Sequence, residues 1–335
     1  MPRLNSLALL GSIAASALMI AAPAAEAATE LKVVSGLARN HDQIEVYFNH
    51  FHTPINKDAN APIDLKYLGS TEVTPRKQLG SAVKRGLIDV LISPSSYYAG
   101  QVAEGRYVAI SNRDHKQLRA NGTYDALQPA WAKGINARIL AWPYANGTTF
   151  HVYLTNKPEL SKATGITLKG QKMRGVSLYL PFLKAMNATP IVISPREVYA
   201  SLERGLVTGL AWPEGAITKY GWQKFIKYKM EPGFWRSSTL LVMNLDKYNA
   251  MTKAEKDYID AASRKLEDES GPAQREIIKI DNAKLFAEGL ERVELKGEYR
   301  KAYMNTVFGA TWDDAKDNKK LTVPYAKLRS LLYAE

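Results

Sequence analysis

The sequence predicts an α/β protein built from two lobes, with a long helix near its C-terminus. A chain of 335 residues exceeds the size at which a single hydrophobic core usually stops growing, which favours two lobes. β-rich runs alternate with amphipathic helical segments, an order typical of mostly parallel sheets covered by helices. A helical period begins at Lys253 and continues past Gly271 and Pro272 to Leu290. We therefore expect one long helix, with a bend or break at the Gly-Pro pair, that packs along both lobes.

The first elements of the chain follow this alternating order. Residues 30–36 form a β-rich run, and apolar side chains at spacings of three and four predict a helix over residues 41–56. Residues 63–68 alternate as a strand does. Thr74 and Pro75 predict the start of a second helix, which Gly86 ends, and residues 88–93 then form a buried strand.

Two segments of the sequence, residues 74–94 and 194–213, share one layout. Each begins with Ser or Thr followed by Pro and Arg, continues as a helix to a glycine, and ends in a short apolar strand with a terminal proline. Ser194 and Glu197 also form a capping box. One interpretation is two similar lobes that each offer a strand end to a shared cleft, where open α/β sheets bind ligands. The other is that any helix–strand unit has this pattern.

The N-terminus has the pattern of a secretory signal. Arg3 precedes an apolar run over residues 7–22, and Ala25-Glu26-Ala27 has the small residues of a cleavage site. We therefore expect residues 1–27 to be removed and the mature chain to be soluble and exported. The predicted domains are lobe I, residues 28–148 and 236–270, and lobe II, residues 149–235 and 271–335.

The composition narrows the classes of partner and chemistry. With 46% hydrophobic and 23% charged residues, the chain is in the normal range for a globular protein. The absence of cysteine excludes disulfides, Cys-ligated zinc, iron–sulfur clusters and thiol catalysis. A net charge of +12 suits nucleic acid, an acidic membrane or small anions. Export argues against nucleic acid and favours anionic solutes, while the average charge of the organism's exported proteins stays an alternative explanation.

Several motifs together resemble a known family. The most specific is the stretch LKGQKMRG at residues 168–175, which is followed by EVY at 197–199 and VTG at 207–209. The earlier stretch RGLIDV at residues 85–90, which leads into SPS at 93–95, also fits. The chain resembles the extracytoplasmic solute-binding proteins of TRAP (tripartite ATP-independent periplasmic) transporters, of the DctP type. This resemblance implies a two-lobed periplasmic binding protein of the Venus flytrap kind, monomeric and without a cofactor, that closes around an organic acid and delivers it to membrane permease subunits.

The resemblance assigns the ligand carboxylate to Arg174. In the family, the Arg of this motif pairs with that carboxylate, and the planar guanidinium matches two carboxylate oxygens at once and stays charged at any working pH. Without the motif, a surface salt bridge would be the ordinary interpretation of a single Arg.

Two departures from the family pattern bear on the ligand. The position of a second Arg in many members falls on His151, and the Asn before the proline of the second-lobe strand is Trp212 here. His151, which is mostly neutral at pH 7, supplies no second positive charge for a second carboxylate, and the indole of Trp212 offers a ring face for stacking. Both changes favour an aromatic or otherwise bulky monocarboxylate over a C4-dicarboxylate. The dicarboxylate stays the alternative ligand, and a core or hinge position stays the alternative interpretation of Trp212.

Further candidates come from strand ends and from aromatic segments near the expected lobe crossings. The predicted ligand-binding residues besides Arg174, Trp212 and His151 are Tyr97, Ser95, Asn40, Glu72, Phe150 and Tyr179. Asn40 and His41 sit before the first helix, where backbone N–H groups favour anions.

No catalytic or metal site is expected. His50 and His52 lie two apart on a predicted helix and point to different faces, and the sequence has no H-E-x-x-H, G-x-S-x-G or EF-hand pattern. A binding protein that reports its ligand to a membrane receptor, rather than to a permease, stays an alternative with the same pocket.

Overall fold

The computed structural model describes residues 28–334. The predicted signal segment, residues 1–27, lies outside the described residues. Among the helices that are described, none combines the length and the apolar character needed to cross a bilayer.

The described residues form strands and helices in alternation for most of the chain. The strands are β1 (Thr29–Ser35), β2 (Ile63–Gly69), β3 (Val90–Pro94), β4 (Ala137–Ala141), β5 (Phe150–Leu154), β6 (Glu159–Ser161), β7 (Gly165–Thr167), β8 (Lys172–Gly175), β9 (Thr189–Val192), β10 (Gly209–Pro213), β11 (Tyr228–Glu231), β12 (Thr239–Asn244) and β13 (Glu291–Glu294). The helices are α1 (Asp42–Tyr47), α2 (Thr53–Lys57), α3 (Leu79–Lys84), α4 (His115–Ala120), α5 (Thr123–Ile135), α6 (Leu180–Ala185), α7 (Pro195–Glu203), α8 (Leu245–Ala250), α9 (Lys253–Ala287), α10 (Gly297–Lys316) and α11 (Tyr325–Leu332).

Two larger sheets define the two lobes. The first sheet has the strand order β2-β1-β3-β12-β4, and the second has the order β13-β11-β5-β10-β8-β9. In the first sheet β1 runs parallel to β2 and β3, as the alternating sequence predicted. In each sheet, the strand that follows a crossing from the other sheet runs antiparallel to its neighbours. These strands are β12, which pairs with β3 and β4, and β5, which pairs with β10 and β11. The predicted two-lobed α/β class is therefore confirmed.

Three segments connect the two sheets. The chain crosses once over residues 142–149 and again over residues 232–238, and helix α9 follows β12. Ile259 and Leu266 of α9 pack in the core beside the first sheet, whereas Leu285 packs with residues of the second. The predicted long helix is confirmed. Of the bend or break expected at Gly271 and Pro272, the break is wrong, because α9 runs unbroken through Pro272 to Ala287.

Two glycines allow α9 to pass close to the first crossing. A Cβ atom on Gly147 would lie 2.8 Å from the carbonyl oxygen of Gly271. No real side chain tolerates that approach, so glycine at residue 147 lets the crossing lie directly against the helix.

Local sequence signals explain most helix boundaries. The capping box of Ser194 and Glu197 is present at the start of α7. The helix predicted over residues 41–56 begins at Asp42, because His41 is extended and caps its N-terminus. It continues to Lys57, with a π-helical turn over residues 48–52 between α1 and α2. The second predicted helix starts later than expected, because Pro75 is extended (ψ 138°) and a 3₁₀ turn over Arg76–Gln78 precedes α3.

The C-terminal segment contacts both halves of the chain. Helix α10 packs against α6 and β7, on the side of the second sheet. Further on, the Ser111 hydroxyl donates to the carbonyl of Leu332, and the Glu104 carboxylate accepts from the backbone N–H of Val323. Because these contacts join the two halves, the predicted lobe boundaries stay a prediction.

Candidate ligand-binding site

A buried cavity lies where the two sheets face each other. The C-terminal prolines of β3 and β10, Pro94 and Pro213, both line it. It leaves about 40 Å³ for the centre of a water-sized sphere, room for more than one water molecule. We call it the inter-sheet cavity. Its lining residues are Leu37, His41, Gln43, Pro94, Ser96, Tyr97, Phe150, Arg174, Val176, Leu178, Tyr179, Trp212, Pro213, Ser237, Ser238 and Thr239.

Arg174 supplies the only formal positive charge among the residues that line the inter-sheet cavity. It lies on β8 and is 1% exposed. Its Nε donates to the carbonyl of Ile193 at 3.3 Å, and this bond fixes the plane of the guanidinium. Both terminal nitrogens, Nη1 and Nη2, are buried and have no hydrogen-bond partner among residues 28–334. Burial lowers the pKa of Arg174, which stays protonated, so a nearly unsolvated cation faces the cavity.

Aromatic rings surround the guanidinium of Arg174. The centroid of the Trp212 ring lies 5.1 Å from its Cζ atom, within cation–π range. Trp212 packs edge-on against Trp222 at 5.0 Å, and its indole Nε1 is buried without a partner. On another wall, Phe150 and Tyr179 meet at 5.9 Å. Burial raises the pKa of the Tyr179 phenol, so it stays neutral at physiological pH.

His41 adds a hydrogen-bond donor to the same cavity. Its Nδ1 accepts from the backbone N–H of Gln43 at 3.1 Å, which caps the N-terminus of α1. Burial lowers the pKa of His41 to about 4, so the ring is neutral at pH 7. With Nδ1 as the acceptor, the proton is on Nε2, and the ring presents an N–H donor.

Gln43, Ser237 and Thr239 form a polar wall of the inter-sheet cavity and satisfy each other's hydrogen bonds. The Gln43 side chain donates to the Ser237 hydroxyl at 3.2 Å and accepts from the Thr239 hydroxyl at 2.6 Å. All three residues are buried. Because these groups pair with each other, the partnerless polar atoms around the cavity are mainly the donors of Arg174 and Trp212.

The structure brings five of the nine predicted site residues together. Those that line the inter-sheet cavity are Arg174, Trp212, Tyr97, Phe150 and Tyr179. Ser95 does not: its hydroxyl donates to the carbonyl of Gly105 at 2.7 Å, and its neighbour Ser96 lines the cavity instead. Asn40 is exposed, and the residue after it, His41, takes the place in the cavity.

His151 is a correction to the sequence prediction. Successive residues of a strand point to opposite faces, so Phe150 faces the cavity and His151 faces away from it. The ring of His151 contacts the carbonyl of Met230 at 2.9 Å and lies 3.4 Å from a carboxylate oxygen of Glu214. Phe150, one residue earlier, lines the cavity in the place predicted for His151.

His151, Glu214 and Glu231 are the one group of potential metal ligands within reach of each other among residues 28–334. The Lys229 ammonium already lies 2.5 Å from Glu214 and 3.0 Å from Glu231. Burial alone would raise the pKa of Glu214, but its contacts with His151 and then with Lys229 outweigh burial, lower that pKa and hold the carboxylate ionised. We therefore interpret the group as an ion-pair network in which Lys229 takes the place of a metal ion.

Glu72 lies at the rim of the cleft and not in the cavity. Its carboxylate pairs with Arg196 of the other lobe at 3.2 Å. A second contact across the cleft is deeper, where Lys219 lies 2.7 Å from Asp42 and 2.5 Å from Glu45. We call these three ion pairs the rim contacts.

Sequence reasoning missed one charged residue near the site. Arg76 follows Thr74 and Pro75, lies 5.2 Å from the Tyr97 ring, and has a buried Nη1 without a partner. It lines a neighbouring depression that also includes Tyr97. The repeated Ser/Thr-Pro-Arg layout was the available signal, since Arg196 holds the matching place in the other segment.

Comparisons with known proteins agree with this architecture. Two α/β lobes, joined by two crossings and a shared helix, define the class of two-lobed solute-binding proteins. The family described as bacterial extracellular solute-binding protein, family 7 (DctP), matches residues 34–317, and the chain belongs to it. The resemblance found in the sequence motifs is therefore confirmed.

Solved structures share the fold at low identity. A TRAP transporter solute-binding protein from Bordetella bronchiseptica, with copurified calcium and picolinate, is 18% identical, with a TM-score of 0.76 over 91% of this chain and 92% of that chain. A TRAP periplasmic solute-binding protein from Desulfovibrio salexigens, with bound orotic acid, is 16% identical, with a TM-score of 0.74 over 90% and 96%. Another from Rhodoferax ferrireducens, with bound malonate, is 17% identical, with a TM-score of 0.74 over 90% and 96%.

Proposed function

We propose that this protein captures a monocarboxylic acid with aromatic or apolar bulk in the inter-sheet cavity and releases it unchanged. The observation that carries the proposal is Arg174, whose two terminal nitrogens are buried and have no partner in the part of the chain that the structure describes. A desolvated guanidinium is costly unless an anion pairs with it. A carboxylate supplies two oxygens in the geometry that Nη1 and Nη2 require.

The other free polar groups of the cavity point to the same ligand. The indole of Trp212 is a donor without an acceptor, and the neutral ring of His41 presents Nε2–H. A ligand that satisfies donors must carry acceptors, and a carboxylate with a neighbouring oxygen or ring nitrogen does so.

The charge and the rings of the cavity select the class of acid. Arg174 compensates one carboxylate, and a second buried carboxylate would need another cation. Phe150, Tyr179 and Trp212 offer ring faces that an apolar or aromatic body can pack against. Among proteins of similar fold, those solved with picolinate and with orotic acid hold aromatic monocarboxylates, which makes this class reasonable here.

A dicarboxylate is the second candidate, and Arg76 is the observation that favours it. Its unpaired Nη1 is separated from the inter-sheet cavity by Tyr97, which lines both the cavity and the depression next to Arg76. If Tyr97 turns aside, Arg76 could receive a second carboxylate, as a ligand such as malonate would need.

We further propose that the mature chain works in the periplasm as a monomer and delivers its ligand to TRAP permease subunits. Lobe I (residues 28–148 and 236–270) and lobe II (residues 149–235 and 271–335) would close about the two crossings. The extracellular family assignment, the signal pattern in the sequence and the rim contacts across the cleft support this proposal.

The test is a thermal-shift screen of the mature protein against aromatic acids, keto acids, sugar acids and dicarboxylates, followed by calorimetry on the hits. A hundredfold excess of ligand over its Kd stabilises the fold by about 2.7 kcal/mol. We expect the strongest shift from an aromatic or bulky monocarboxylate, with the acid recovered intact by chromatography. A stronger shift from succinate, malate or malonate than from every monocarboxylate would reject the proposed ligand class, and conversion of the acid would reject the binding-only role.

Two variants distinguish the candidates. Arg174→Met removes the proposed clamp and should weaken binding of either class of acid by about thirtyfold or more. Arg76→Gln should leave the affinity for a monocarboxylate within about threefold and weaken a dicarboxylate by about tenfold or more, since it removes a charge-assisted hydrogen bond.

A further inference from the structure

A second, larger chamber lies on the side of residues 146–149 that faces helix α9. Its volume is about 570 Å³, and it is open to solvent. Its walls come from the two crossings between the sheets, from one face of α9 and from β13. The lining residues are Asn146, Gly147, Thr148, Thr149, Glu214, Arg236, Arg275, Ile278, Lys279, Asn282, Ala283, Phe286 and Arg292. We call it the hinge chamber. The residues that line the hinge chamber and those that line the inter-sheet cavity do not overlap.

The hinge chamber is strongly basic. Its lining includes the four cations Arg236, Arg275, Lys279 and Arg292 and a single carboxylate, Glu214. That carboxylate does not neutralise the four cations, because it is already bound by the Lys229 ammonium at 2.5 Å and by the Thr149 hydroxyl at 3.0 Å.

The four cations have little other compensation. No carboxylate of the described residues lies within 4.0 Å of the guanidinium of Arg236, Arg275 or Arg292, and Lys279 has only a long, exposed pair with Glu276 at 3.9 Å. Burial lowers the pKa of Arg236, the sign of a charge held with too few compensating groups.

Neighbouring groups hold two of these side chains in place. Nη1 of Arg275 donates to the carbonyl of Asn146 at 2.5 Å. The guanidinium carbon of Arg292 lies 4.1 Å above the centre of the Phe286 ring. The remaining N–H groups of both have no acceptor among residues 28–334. In the same wall, the Thr148 hydroxyl and Nε of Arg236 are buried without partners, and Thr148 is 2% exposed.

We propose that the hinge chamber binds a small anion with two or more negative charges, such as phosphate, sulfate or citrate. Several positioned donors with uncompensated positive charge match the several oxygens of such an anion. A monovalent anion would leave most of that charge unpaired. This site is separate from the inter-sheet cavity and does not depend on which carboxylic acid the cavity takes.

The experiment is calorimetric titration of the mature chain with phosphate, sulfate, citrate and nitrate at constant ionic strength and neutral pH. We expect at least one of the three multivalent anions to bind saturably, one anion per chain, and nitrate to show no saturable binding. The variant Arg275→Gln/Lys279→Gln should weaken that binding by about tenfold or more. Both positions are exposed on a helix where Gln is well tolerated, so the fold is retained.

Two controls identify the site. Arg264→Gln/Lys265→Gln removes the same two residue types from exposed positions of α9 outside the chamber and should leave the affinity unchanged. Arg174→Met should also leave it unchanged, because Arg174 lines the inter-sheet cavity. The proposal is overturned if no multivalent anion binds saturably, if nitrate binds as tightly, if both double variants lose affinity equally, or if Arg174→Met abolishes the binding.

Discussion

Replacing Arg174 by Met separates a binding role from a structural one. Within the described residues and without ligand, the guanidinium makes one hydrogen bond, from Nε to the carbonyl of Ile193. Losing that bond costs about 1 kcal/mol. Removing a buried charge that has no counterion should raise the free energy of unfolding by a similar or larger amount, because apolar replacements of buried ions are often neutral or stabilising. We therefore expect the ligand-free Met variant to unfold at the same temperature as the wild type or at a higher one.

The same substitution should have a large effect on the ligand. A carboxylate buried beside Met would lose its charge partner, which costs about 2–5 kcal/mol, or roughly thirtyfold to several thousandfold in Kd. Calorimetry measures this loss, and thermal unfolding without ligand measures the stability. Arg174→Lys should recover only part of the affinity, since an ammonium does not present two parallel N–H bonds. A variant that binds within about threefold of the wild type but loses more than about 2 kcal/mol of stability would refute the reasoning.

Three further predictions concern the walls and the rim of the cleft. Trp212→Phe keeps a ring but removes the unpaired indole N–H, so the affinity for the ligand should fall by about tenfold. The ligand-induced change in tryptophan fluorescence should also become smaller. An unchanged Kd would show that the indole does not contact the ligand. His41 has a folded pKa of about 4 against an ordinary 6.5, so below pH 6.5 the unfolded chain binds a proton that the folded chain does not. Stability should therefore fall by about 3 kcal/mol between pH 6.5 and 4, and urea unfolding of His41→Asn, which keeps an N-cap, should show a flatter pH profile. Lys219→Met removes the rim contacts to Asp42 and Glu45, and we expect about fivefold weaker binding with a smaller dependence of Kd on salt; equal salt dependence in both proteins would contradict this.

Much of the architecture could be predicted from the sequence, because the signals that define the helices and strands are local. Alternating strands and helices, a capping box at Ser194 and an uninterrupted period over α9 are each set by residues a few positions apart. The start of α3 was the exception. A Thr-Pro pair is compatible with a helix start, but the extended conformation of Pro75 delays the helix to Leu79.

The site was harder to predict because it depends on which face of each strand meets the cavity. His151 and Phe150 are adjacent, and a shift of one residue exchanges the cavity for the opposite face. Ser95 and Asn40 show the same pattern, since each lies beside the residue that lines the cavity. The polar wall of Gln43, Ser237 and Thr239 joins residues almost two hundred positions apart, and a local sequence pattern does not predict such a contact.

The rim contacts have a consequence for how this protein can be tuned. They form between side chains on the two sides of the cleft and do not involve the solute. They therefore favour the closed arrangement by the same amount whichever solute is bound. An observed Kd is the intrinsic value divided by the fraction of molecules that are competent to hold the solute. A change at Lys219 or Arg196 should therefore multiply the Kd of every ligand by one common factor and leave their rank order intact. A change at Trp212 should reorder them. Changes at the rim contacts can thus alter the overall affinity without altering selectivity, whereas changes at Trp212 alter both.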